Sequence, residues 1–121
     1  MVILINERAD LDLDEMSTLR KNRTGLPVNI WVDDSMLYKR KGRHGMRIKF
    51  QPDKGDRPVS YNMVSMTVED DPQVIETNIK TSLSVSDINK IKSFIKANKD
   101  LLVALSDMKI DIVDFVAKMK K

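Results

Sequence analysis

The chain has 121 residues, 41% of them hydrophobic and 32% charged, with a net charge of +3. That length and mixture suit one globular domain with a single core and are too apolar for a disordered chain. Cysteine is absent, which excludes disulfides, thiolate metal sites and cysteine catalysis.

Val2-Ile3-Leu4-Ile5 is a short β-branched run that predicts a strand. Residues 10–24 are polar, with Leu13, Met16 and Leu19 or Arg20 at loose helical spacing. Asp10 would cap a short helix there, and an irregular segment fits equally well. After Gly25-Leu26-Pro27, the alternation of Val28, Ile30 and Val32 against Asn29 and Trp31 predicts a strand. Asp33-Asp34-Ser35 reads as a turn. Met36–Lys41 and Met46–Gln51 then flank Gly42-Arg43-His44-Gly45, the composition of a β-hairpin loop. Pro52–Pro58 is a charged loop, and Ser60–Val68 alternates again with Val64, Met66 and Val68 on the core face. Val74-Ile75 and Ile79–Leu83 are shorter strand candidates.

The period changes in the last third. Ser84 and Asp87 have capping-box spacing, and Leu83 and Ile88 sit where a hydrophobic staple would place them. Ile88, Ile91, Phe94 and Ile95 form an apolar stripe. Asn98 would end or kink this helix, and Leu101, Leu102 and Leu105 extend its surface. Asp111 caps a final helix with Ile112, Val113, Val116 and Met119 on its buried face and lysines at its C-terminal end, where the helix dipole favours cations. The expected organisation is a single α+β domain over 1–121, with 1–83 mainly strands and loops and 84–121 helical. An antiparallel sheet from the N-terminal two thirds would be packed on one face by two or three C-terminal helices.

Charge is uneven along the chain. Residues 1–16 carry five acids against Arg8, residues 17–57 carry eleven Lys/Arg against four acids, and the remainder balances. The basic middle centres on the predicted hairpin, with Lys39, Lys41, Arg43, His44, Arg47 and Lys49 as candidate phosphate contacts and Arg57 nearby in sequence. A two-stranded ribbon can enter a nucleic-acid groove, and Tyr38 and Trp31 would stack on bases or form an interface. The competing reading is a solvated edge hairpin whose lysines and arginines discourage sheet-to-sheet association. Trp31, opposite the core residues of its strand, suggests a homo-oligomer contact or a partner hot spot.

Other chemistry finds less support. Asp10, Asp12 and Asp14 open like a calcium loop, but Glu15 stands where the turn needs glycine and Lys21 where the bidentate glutamate belongs. Asp33-Asp34 would be a magnesium doublet or, more simply, a turn. His44 is the single histidine, so no metal site is expected and no cofactor is implied. No nucleophile-elbow, zincin, phosphate-loop or dinucleotide fingerprint occurs, which argues against an enzyme. The eight methionines read mostly as core filler. Residues 1–10 do not form a secretory signal and no apolar run approaches the ~20 residues of a membrane helix, so a cytoplasmic location is expected.

Gly25-Leu26-Pro27-Val28-Asn29-Ile30-Trp31, the run Gly42-Arg43-His44-Gly45-Met46-Arg47-Ile48-Lys49-Phe50-Gln51, and the isoleucine-rich helix ending at Asn98-Lys99 together resemble a group of small uncharacterised proteins of bacteria and their phages or mobile elements. The resemblance covers about three quarters of the chain and transfers no site. It implies a mobile-element setting and an anti-defence role such as blocking a CRISPR nuclease or sequestering a nucleotide signal. The leading expectation is therefore a non-enzymatic protein that binds a nucleic acid, nucleoprotein or nucleotide. A protein–protein inhibitor or oligomeric module is the alternative, and an unrecognised hydrolase is the third.

Overall fold

The computed structural model describes residues 16–38, 45–75 and 80–121. The expected strand at Val2–Ile5, the acidic calcium-like start and the hairpin tip with Lys39, Lys41, Arg43 and His44 lie outside these residues, as do 76–79. In chain order the elements are β1 (Met16–Leu19), α1 (Lys21–Thr24), β2 (Ile30–Asp33), β3 (Arg47–Phe50), β4 (Val64–Thr67), α2 (Val85–Ser106) and α3 (Ile112–Lys118).

The four strands form an antiparallel sheet in the order β1-β2-β3-β4. Its register follows from side-chain alternation. Leu19, Ile30, Phe50 and Val64 are cross-strand partners in one row, and Ile48 opposes Met66 in the next. All six are buried against α2 and α3, which contribute Ile91, Phe94, Ile95, Leu102, Leu105 and Phe115. A one-residue slip in any strand would move its apolar set out of this core, so burial specifies the pairing. This is the α+β arrangement expected from strands that precede helices.

Both helices start where the sequence signals them. Ser84 Oγ accepts from the Asp87 N–H at 3.0 Å, and the Asp87 carboxylate accepts from the Ser84 N–H at 3.1 Å. Asp111 and Asp114 form the same reciprocal box on α3. Helix α2 runs through 22 residues and is kinked, not ended, at Asn98, whose φ of −114° and ψ of 16° leave the helical region. The Asn98 amide is 1% exposed. Its Nδ2 donates to the carbonyls of Phe94 (2.9 Å) and Lys120 (2.8 Å), and its Oδ1 accepts from the Lys120 N–H (2.7 Å). A buried amide needs such partners, and here they fasten the end of the chain onto the middle of α2.

Three sequence expectations are corrected. Residues 16–19 form strand β1, not part of a helix or an irregular segment; among the described residues of this stretch only Lys21–Thr24 is helical. Met36–Lys41 is not a hairpin arm over its described part. Met36 adopts a φ of 59°, its N–H donates to the Ser106 carbonyl at 2.8 Å, and residues 37–38 are helical. The cause is Asp33: its buried carboxylate accepts from the N–H groups of Ser35, Leu37 and Tyr38 and from Ser106 Oγ. These bonds stop β2 and turn the chain back across the sheet. Finally, residues 80–83 are not a strand, and Val74 makes only an isolated bridge to Met66.

The returning segment gives the sheet's second face a cover. Trp31 points away from the helices, as its position in the alternation predicts, but it is 3% exposed and packs with Met16, Leu37, Tyr38 and Met63. The exposed stacking or interface role expected for Trp31 is thereby withdrawn: the side chain is already enclosed by its own chain.

Candidate anion-binding surface

Arg47 and Lys49 both rise from β3 on the Trp31 side, opposite Thr67 and Ser65 of β4, and both are half-buried. Strand β3 lies between β2 and β4, so these cations belong to an interior strand and not to an edge ribbon. Arg57 is exposed at the other end of β3, in the loop after Gln51. Arg57 thus lies beyond the end of β3, whereas Arg47 and Lys49 lie on the strand itself. Tyr38 is half-buried beside Trp31.

The end of the sheet that carries Arg57 is held by a buried pair of amides. Asn29 Nδ2 donates to Gln51 Oε1 (2.9 Å) and to the carbonyl of Asp56 (3.1 Å), while Asn29 Oδ1 accepts from the Lys21 N–H (2.8 Å). Gln51 Oε1 also accepts from the Val59 N–H at 2.9 Å. Two fully buried side chains thus satisfy one another while pinning the start of α1 and the 52–59 loop to the sheet. Lys54 extends the connection to α2 through an ion pair with Asp87 at 2.9 Å. That Lys54 contact, with the Ser84 backbone N–H beside it, holds the Asp87 carboxyl down from 3.8 to about 2.

These ties gather segments 20–26, 52–59, 84–90 and 120–121 at one end of the molecule. Together they carry eight Lys/Arg and three Asp, whereas the whole chain is only +3. Lys21 and Lys54 are neutralised by Asp56 and Asp87. Arg20 donates to the neutral carbonyl of Asp56. Among the described residues no carboxylate pairs with Arg23, Arg57, Lys90, Lys120 or Lys121.

Between the β1–β2 connection, one face of α2 and the last two residues lies a groove of about 760 Å³. Its floor is apolar, made by the buried Leu26 and Phe94 with Ala97 beside them. Ser86, Asn89 and Ser93 supply hydroxyls and an amide from successive turns of α2. Lys90, Lys120 and Lys121 stand at the rim, and no Asp or Glu side chain lines it. Gly25 turns the chain at its edge with a φ of 78°, and its N–H caps α1 through the Lys21 carbonyl. A second depression is lined by both Arg23 and Lys121.

Asp70 pairs with Lys99 at 2.9 Å and raises the Lys99 pKa. The Asp33-Asp34 doublet acts as a turn, with Asp33 occupied by four donors. Among the described residues no helix is long and apolar enough to cross a membrane.

Sequence reasoning missed Lys90, Lys120 and Lys121 because they are thirty residues apart and carry no common spacing. The one available signal was Asn98, a buried polar residue predicted to interrupt a helix, which proves to be what brings Lys120 onto α2. No protein-family model, curated protein or solved structure matches this chain.

Proposed function

We propose that this protein is a non-enzymatic, cytoplasmic binder of a phosphate-bearing partner, and that contact is made at the basic end, not on the 39–49 ribbon. The observation that carries this reading is the set of cations around the groove that have no carboxylate partner among the described residues. Lysines with no carboxylate partner among the described residues, over a concavity lined by no Asp or Glu side chain, focus positive potential where an anion can approach. Arg23 and Arg57 widen the field, and arginine adds bidentate geometry toward phosphate. The reading keeps the chemistry expected from the sequence, a nucleic acid, nucleoprotein or nucleotide, and changes its location. The phage or mobile-element setting and its anti-defence role stay attached to the sequence resemblance.

The test is an equilibrium binding panel of single-stranded and duplex oligonucleotides and mononucleotides at ~50 and ~200 mM salt. At least one class binds, with affinity falling as salt rises, and Lys120→Glu with Lys121→Glu lowers that affinity while Arg47→Glu does not. Bound nucleotides are recovered unaltered after prolonged incubation. Absence of binding by every phosphate-bearing probe refutes the proposal, and sustained turnover refutes its non-catalytic part.

A further inference from the structure

We infer that the α2 groove is a site for a single small nucleoside phosphate, with the phosphates at the lysine rim and the base over the Leu26–Phe94 floor; this rests on the binding role just proposed. Three features narrow the ligand. The first is size: about 760 Å³ falls within the ~300–1,000 Å³ of small-molecule pockets. Residues 86 to 97 of α2 run along it, a length of about 16 Å at 1.5 Å per residue. A duplex presents its phosphates on a convex surface and cannot reach a concave floor, whereas a monomer can lie along it.

The second feature is charge. Lys90, Lys120 and Lys121 give three cationic side chains with no Asp or Glu among the lining residues, which complements the two or three negative charges of a nucleoside diphosphate. The third is the combination of surfaces below the rim. An apolar floor alone would suit an acyl chain. Ser86, Asn89 and Ser93 beside it instead offer donors and acceptors to a ligand with polar edges, and the asparagine amide can pair with a base edge.

Asn98 acts in this site as a positioning residue. Its paired bonds to the Lys120 N–H and carbonyl hold the last two residues at the groove. The backbone that carries Lys120 and Lys121 is thus held in place, which spares the ligand the entropy of ordering that segment.

The experiment is calorimetric titration of the full chain with ADP, GDP, CDP and UDP, with inorganic phosphate, adenosine and a short duplex as comparisons. At least one diphosphate binds, and phosphate and adenosine each bind at least tenfold more weakly. Ala97→Trp, an exposed helix position that would fill the groove, abolishes binding, and Lys120→Glu weakens it at least tenfold. Lys109→Glu, an exposed position after α2 and outside the lining, changes it less than twofold. Far-ultraviolet spectra and thermal melts verify folding, and Ser93→Trp replaces Ala97→Trp if that variant is unfolded. Binding of the duplex or an oligonucleotide without any diphosphate overturns the inference and leaves the broader function standing. Diphosphate binding that survives both groove-filling variants also overturns it, and silence from every probe overturns both.

Discussion

Asn98→Ala tests the link between fold and site. The substitution removes three hydrogen bonds from a side chain that is 1% exposed. At ~1 kcal/mol net for each bond, the loss is about 3 kcal/mol. The freed groups of Lys120 lie on an exposed residue and can turn to water, which reduces the loss. The expected net destabilisation is about 2 kcal/mol, or roughly 8 °C in melting temperature for a domain of this size. Urea denaturation measures it, with an unchanged m-value as the sign that the unfolding surface is the same. The same variant should bind nucleotide at least fivefold more weakly, because Lys120 and Lys121 lose their anchor. Asn98→Asp should be worse, since it removes both donors and faces two carbonyls with a carboxylate. A stability loss under about 0.5 kcal/mol, with groove affinity intact, would refute the argument that this amide organises the rim.

Three further outcomes follow from other parts of the fold. Trp31→Ala empties the small second core between Met16, Leu37, Tyr38 and Met63 and should destabilise by ~3–5 kcal/mol in urea; a change below about 1 kcal/mol would mean that the returning segment does not cover it. Asp87 has its pKa depressed to about 2, so its contribution is complete above the unfolded value of 3.8 and is lost as pH falls toward 2. Asp87→Asn should therefore flatten the stability profile across that window, and an unchanged acid limb would count against the Lys54–Asp87 tie. Met108 is exposed and has a φ of 59° immediately after α2, a backbone setting that favours glycine. Met108→Gly should raise stability by ~0.5–1 kcal/mol by relieving that conformation, and a lowered melting temperature would show the strain argument to be wrong.

Local rules carried much of the architecture. The Ser84/Asp87 box and the Asp111 cap located two helix starts, and alternation located β2, β3 and β4 with the correct faces inward. Where the reading failed, a non-local bond had overridden a local pattern. Met36–Tyr38 look extended in sequence, yet Asp33 and the distant Ser106 carbonyl hold them in a turn. Met16–Leu19 has weak strand character of its own and becomes a strand by pairing with a fully buried β2. Trp31 was placed on the right face, but whether that face met solvent depended on the path of residues 36–38, which no periodicity encodes. The candidate site was the least legible part. Its cations come from α2 and from a terminus brought back by one asparagine, whereas the conspicuous basic run at 39–49 contributes Arg47 and Lys49 on an interior strand, away from the groove.

The most direct test is a map of amide chemical-shift changes as ADP is added to isotope-labelled protein. The account predicts changes concentrated in residues 24–26, 85–97 and 120–121, largest near Asn89 and Lys120. Changes confined to residues 45–50 and 63–67 would return the contact to the ribbon and contradict the groove, as would a spectrum that does not move.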